Sequence, residues 1–242
     1  MVTRLDLGSL RVDVVRKDIK NIHLSVYPPT GTVRIAAPEW VAMEAIRLFA
    51  INKLAWIRRQ QLKLRAQPRE TPREYIERES HYLWGRRYLL HVVEKDAPPL
   101  IEPKHRRLHF QVRPGTDAAQ REALLEAWYR AGVRQAAEVL IAQWEPLVGV
   151  LVERIFVQRM KTRWGGCNPQ LRNIRLNTEL AKKPPECLEY IVVHELVHLR
   201  EPTHSDRFVA LMNQLMPHWR DHREMMNRLP VRYEGCSSAR PL

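Results

Sequence analysis

The sequence predicts an α+β chain in which a small β-rich module precedes a mixed domain organised around one histidine-bearing helix. Three observations carry that expectation. Short apolar or alternating runs, broken by turn residues, fill the first third and read as strands. Longer stretches of the second half repeat apolar residues at helical spacing. Within the last of these, His194-Glu195-Leu196-Val197-His198 sets two imidazoles four residues apart, and His204 follows after Pro202.

The elements can be taken in order. Leu10 to Val15, Ile22 to Val26 and Val33 to Ala36 read as strands, with Pro28-Pro29-Thr30-Gly31 as a turn between two of them. After Pro38, one helix is expected from Trp40 to Gln67, because Ala45, Leu48, Phe49, Leu54, Trp56 and Ile57 keep a helical rhythm until Pro68 and Pro72. Tyr82 to Val92 reads as a hairpin turning at Gly85, with Leu108 to Val112 as a neighbouring strand. These segments make residues 1–112 the β-rich module. Asp117 then opens a long amphipathic helix reaching Trp144, with Leu124, Trp128, Val133, Ala137, Leu140 and Ile141 on its apolar side. Strands at Glu153 to Met160 and Asn173 to Leu176, the histidine helix and two shorter helices complete a second domain, 113–230. Residues 231–242 form a tail.

Pro184-Pro185 marks the start of the histidine helix, since proline is tolerated in a first turn. Glu186 and Glu189 put negative charge where the helix dipole favours it. Leu188, Ile191, Val192, Leu196 and Leu199 make one apolar stripe, with His194 and His198 at its border. Glu195 falls inside the stripe, where an unpartnered charge is costly. Pro202 ends the helix, so His204 can approach the first two histidines from another direction. Thr203 with Asp206 resembles a capping box opening a second helix, whose core face is Phe208, Leu211, Met212 and Leu215.

Three imidazoles so arranged suit one tetrahedral zinc with an open position, and Glu195 is placed to take a proton from the water such a metal activates. Helix, strands, then metal helix is the order of a zincin-like catalytic domain with a metal-binding active-site helix.

Composition limits the alternatives. No apolar run reaches membrane-spanning length, and the N-terminus lacks the apolar core of a secretory signal. Cys167, Cys187 and Cys236 are odd in number and unpaired in spacing, so no disulfide framework is expected and a reducing cytoplasm fits best. The formal net charge of +13 suits an anionic partner, non-specific nucleic acid among them, or else a solvated basic surface. The densest basic stretches are Arg58 to Arg65, Lys104 to Arg107 and Arg159 to Arg163. Oligomeric state is not legible.

Several segments together resemble a known family. Lys161-Thr162-Arg163-Trp164-Gly165-Gly166-Cys167, Asn173-Ile174-Arg175-Leu176-Asn177, Tyr190 to Leu199, and His204-Ser205 with Phe208 look like the YgjP-like metallopeptidases, relatives of the SprT and WLM zinc proteases. Lys20-Asn21-Ile22-His23-Leu24 and Leu83-Trp84-Gly85 extend the likeness over residues 15 to 228. The family commonly has Trp-Gly-Ser-Cys where this chain has Trp164-Gly165-Gly166-Cys167. The resemblance implies one zinc per chain on His194, His198 and His204, with Glu195 as general acid/base. It also implies that Lys161 to Cys167 sits beside the cleft. A close turn through Gly165-Gly166 would let backbone approach substrate. Arg163 would then either stabilise a developing oxyanion or, with Trp164, pack a turn against the metal helix. Cys167 reads as a small buried thiol rather than a nucleophile.

The leading expectation is zinc-dependent hydrolysis of peptide bonds in a protein or peptide substrate. A nucleotide pyrophosphohydrolase is the first alternative, with Lys161, Arg163 and Arg175 holding phosphates. Against it, nucleotide sites usually hold magnesium on oxygen ligands, and no phosphate-binding glycine loop is visible. The second alternative is a nucleic-acid-associated module with structural zinc. Structural sites are usually closed by four protein ligands, whereas three histidines leave one position open.

Overall fold

The computed structural model describes residues 2–8, 10–27, 31–66, 73–160 and 163–228. The Pro28-Pro29-Thr30 turn, Pro68, Pro72, Lys161-Thr162, and the tail with Cys236 lie outside them. The fold is α+β, with three small sheets and six α-helices among the described residues. It divides into two compact units, the second spanning Arg73–Leu229. No described helix is long and apolar enough to cross a membrane.

In the first unit β1 (Val2–Leu7) and β2 (Leu10–Lys17) form a hairpin, and β3 (His23–Tyr27) pairs with β4 (Thr32–Pro38). β2 runs parallel to β4, giving the order β1-β2-β4-β3. Alternation decides which face is covered: Val12 and Val14 of β2, with Val33 and Ile35 of β4, are buried against Ile46, Ala50 and Ile57. Those last three belong to α1 (Met43–Asn52) and α2 (Leu54–Ala66). The single helix expected from Trp40 to Gln67 is therefore two, broken at Lys53, whose backbone leaves the helical region at ψ 2°. Neither glycine nor proline marks that break.

In the second unit β5 (Ser80–Leu83), β6 (Arg86–Glu94), β7 (Leu100–Lys104) and β8 (Arg107–Val112) form a sheet ordered β5-β6-β8-β7. Its buried Leu90, Leu108, Phe110 and Val112 share one core with Leu125, Tyr129 and Val133 of α3 (Ala118–Val148). Tyr129 Oη donates to the Tyr82 carbonyl at 2.8 Å, and Arg121 pairs with Glu94 at 2.9 Å. The boundary expected between residues 112 and 113 thus falls inside this unit, because the sheet buries its apolar face on α3. Asp117 caps α3 with a reciprocal capping box to Gln120, and Gly149 closes it in the left-handed region at φ 75°.

A second sheet carries β9 (Arg154–Gln158), β10 (Gly165–Asn168) and β11 (Asn173–Asn177) in the order β10-β11-β9. β10 is an edge strand. Ile174 and Leu176 of β11 are fully buried, so the sheet turns that face to the helices and Arg175 the other way. The helices are α4 (Pro185–Arg200), α5 (Asp206–Leu215) and α6 (Trp219–Arg228), with a 3₁₀ turn at Thr178–Lys182 leading into α4. The β5–β6 turn steadies that entry: Trp84 N–H donates to the Ala181 carbonyl at 2.7 Å.

Candidate metal centre

Helix α4 is buried on nearly every side after its first turn, from Tyr190 through His198. Pro185 sits at its start, and Glu186 lies in the first turn where the dipole favours it. Four residues make a little over one turn, so His194 and His198 project together, ring centroids 4.7 Å apart. The chain then leaves the helix at Glu201 and turns through Pro202. Ser205 caps α5 by accepting from Phe208 N–H at 3.2 Å. The cap is therefore Ser205 and not the expected Thr203, whose hydroxyl instead lies 3.2 Å from Glu201 Oε1. This tight reversal returns His204 to the helix.

His204 Nε2 lies 3.2 Å from His194 Nε2 and 3.2 Å from His198 Nε2. The ligand atoms of the three residues all lie within 4.8 Å of one another. Nitrogens bound to zinc at ~2.0–2.1 Å in a tetrahedron stand about 3.3 Å apart, so the spacing fits that ion. His198 Nδ1–H donates to the Glu201 carbonyl at 3.0 Å, which leaves its Nε2 lone pair for the cluster. Burial, then the charges of His198, His204 and Arg223, hold the His194 pKa down to about 3. Burial also lowers His198, against the pull of its bond to Glu201. Metal ligands must be unprotonated, and both rings meet that condition at neutral pH. His194 Nδ1 is buried without a hydrogen-bond partner among the described residues. Among those residues no fourth His, Cys, Asp or Glu joins the group, which could offer a metal three nitrogen donors.

Phe208 underlies all three imidazoles, its ring centroid 5.0, 4.4 and 4.8 Å from those of His194, His198 and His204. The sequence placed it in the core of the next helix and in the family likeness, but gave it no place beneath the imidazoles. On the other side Tyr190 meets His194 edge-on at 5.8 Å and stacks on Trp219 at 6.4 Å. Trp219 and Arg223 come from α6, which the sequence did not connect with the site.

Glu195 is 5% exposed and makes no ion pair with a described residue. Burial pushes its carboxyl up to about 8, while the charge of Arg163 pulls the other way. It points to the wall formed by β10. The expected turn through Gly165-Gly166 is in fact this strand, paired antiparallel with β11 from Gly165↔Leu176 to Asn168↔Asn173. Arg163 is exposed just before the strand, with its guanidinium charge felt at Glu195. Cys167 is half-buried, and burial followed by the Glu195 charge raises its thiol to about 11, so it stays protonated.

Asn177, quoted from the sequence only as part of the family likeness, is the main residue whose role sequence reasoning missed. Only 4% exposed, it donates through Nδ2 to the carbonyls of Met160 and Arg163, each at 2.8 Å. Its backbone N–H donates to the Trp164 carbonyl at 2.9 Å. One buried amide therefore ties the backbone of Met160 to that of Arg163. An asparagine at a strand end followed by a polar turn is a general capping signal and does not name its partners.

Among the described residues of the phosphate-holding set expected for a nucleotide site, Arg163 and Arg175 do not face the same way. Lys161 lies outside the described residues, and Arg175 faces away from α4 with its guanidinium over the Phe156 ring at 5.9 Å. The basic stretches fall in different units. Arg58 and Arg59 lie on α2 in the first unit, whereas Arg106 lies in the second, near Arg86 and Arg87. Arg159 is neutralised by Glu122 and Glu126, at 3.4 and 3.6 Å.

The sequence model of the YgjP-like metallopeptidase domain matches residues 20–229. The chain belongs to the YgjP-like family. As a YgjP-like protein it is a metallohydrolase of the peptidase kind, and family and histidine cluster together imply a bound metal ion. No curated protein matches it. Two crystal structures of archaeal metallopeptidase zymogens are similar to part of this YgjP-like chain. Pyrococcus abyssi abylysin is 23% identical over 38% of this chain and 90% of its own, with a TM-score of 0.34. Methanocaldococcus jannaschii jannalysin is 16% identical over 39% and 92%, with a TM-score of 0.33.

Proposed function

We propose that this chain is a zinc-dependent peptidase that cleaves protein or peptide substrates with Glu195 as general base. The observation that carries the reading is the meeting of three imidazoles, His204 Nε2 standing 3.2 Å from the Nε2 of both His194 and His198, beside the buried carboxyl group of Glu195. His194, His198 and His204 would hold one zinc, a borderline-soft ion suited to imidazole. When bound, zinc polarises a carbonyl and lowers the pKa of a water to ~7. Glu195 accepts the proton of the attacking water and passes it to the departing amine. Its desolvated wall keeps bulk water from competing for that proton. Arg163, exposed beside the carboxylate, is the candidate to face the oxygen that gains negative charge. The free thiols of Cys167 and Cys187 suit a reducing, cytoplasmic setting.

The test is a panel run on the full chain after chelation and after return of zinc. Zinc should restore cleavage of unfolded casein, with nucleoside triphosphates left intact. Triphosphate hydrolysis that follows the metal, without any proteolysis, would replace this reading with the nucleotide one.

A second proposal concerns the basic surface. Arg86, Arg87, His105 and Arg106 line a concavity of about 700 Å³ with no carboxylate among its lining residues. Guanidinium groups gathered this way suit phosphate oxygens, and we assign the patch to non-specific nucleic-acid contact. DNA binding by the full chain should weaken steeply with salt. Arg86→Glu with Arg106→Glu should reduce both affinity and the salt slope, while Arg58→Glu with Arg59→Glu should change them less. Equal losses from the two pairs would leave general charge as the only cause.

A further inference from the structure

The Gly165-Gly166 pair offers two neighbouring glycines with different reasons to be glycine. Neither has the left-handed backbone that favours the residue, so conformation requires no glycine at either place. Glycine inside a strand weakens it, and often marks close approach of another group. Space distinguishes the two. Gly165 pairs with the fully buried Leu176 and so faces α4, whereas Gly166 pairs with Arg175 on the opposite face. A β-carbon on Gly166 would meet nothing within 4 Å. On Gly165 it would stand 2.6 Å from Glu195 Oε1, 3.0 Å from Glu195 Cγ and 2.8 Å from Ile191 Cγ2.

We infer that Gly165 is a positioning residue for the general base, its missing side chain being the space that the Glu195 carboxylate occupies. This rests on the assignment of Glu195 as the base. Ile191 Cγ2 sits on a β-branched carbon held to one preferred helical rotamer, whereas Glu195 Oε1 is the far end of a flexible side chain, so the easier relief for an added methyl is rotation of the Glu195 side chain. That rotation moves the oxygen that must meet the water. Misplacement by about 1 Å can cost on the order of a hundredfold in rate. The histidines project from another sector of α4, so metal binding does not depend on this space. β10 therefore supplies the wall that sets where the base stands, and Gly165 is the point of contact.

The experiment compares Gly165→Ala with Gly166→Ala in the full chain, reading zinc content, melting temperature without metal, and kcat and KM on unfolded casein. Gly166→Ala should match the parent. Gly165→Ala should keep zinc and KM while kcat falls about a hundredfold. On a Glu195→Gln background the same substitution should remove little further rate, because the base is already lost. Without metal, Gly165→Ala should lower the melting temperature, and truncating Glu195 to Ala should shrink that loss. If Gly165→Ala folds too poorly to assay, Ile191→Ala is added to relieve the second contact. Fold restored with kcat still low supports the inference; fold and kcat restored together overturns it, since packing on Ile191 would then be the whole effect. Full turnover in Gly165→Ala overturns it as well. Full turnover in Glu195→Gln instead removes the base assignment itself, which the single variant reports independently.

Discussion

Glu195→Gln leaves the metal in place and lowers turnover by ~10²-fold or more, the range over which a positioned general base contributes. Glutamine keeps the size of the side chain, so the wall at β10 and the packing on Ile191 are undisturbed. What it removes is the ability to take a proton. Stability separates this from a folding defect. Glu195 is 5% exposed, without an ion-pair partner among the described residues, and burying such a charge is costly. The neutral amide avoids that cost, so the metal-free variant should melt no lower than the parent. Zinc analysis, melting and steady-state kinetics on one preparation give the three readings. Near-normal hydrolysis would show that another group takes the proton.

His204→Ala is expected to weaken zinc binding by ~10²-fold or more, beyond the ten- to hundredfold that losing an outer partner costs. His204 is the exposed member of the cluster, so its truncation leaves no cavity in the core and a stable fold is expected. Its Nε2 touches both of the others at 3.2 Å, whereas His194 and His198 share one helix and need no third residue to stay together. The variant should therefore retain the fold and lose both metal and activity at low zinc. Competition against a chelator of known affinity measures the change directly. Unchanged affinity would mean that the third donor comes from elsewhere.

Much of this site is legible in the sequence because its chemistry conflicts with its surroundings. A glutamate in an apolar stripe and two histidines one turn apart are hard to reconcile with a helix built only to pack. Pro202 announces the reversal that brings His204 back. The wall is less legible. Gly165-Gly166-Cys167-Asn168 carries no strand preference, and becomes a strand only because β11 offers it a partner. Phe208 reads as an ordinary core residue, since its place beneath the imidazoles depends on the turn at residues 201–205. The unit boundary was hidden for a related reason. β5 to β8 look like a continuation of the first β-rich stretch, and only packing shows that their core is shared with α3. Helix α1 ends at Lys53 with no breaker residue, so the pattern read straight through it.

The Glu201 carbonyl has a consequence for how this centre tolerates mutation. It belongs to the residue at the end of α4, where the helix leaves its last carbonyl groups without internal partners, and it accepts from His198 Nδ1–H. The tautomer of a proposed ligand is thus set by main chain rather than by a side chain. Every amino acid brings the same oxygen, so a change of side chain at residue 201 removes the contact with Thr203 and a nearby charge but leaves the acceptor that orients the imidazole. Inheritance of this part of the site is carried by the shape of a helix end, and a comparison of residue identities would pass over it.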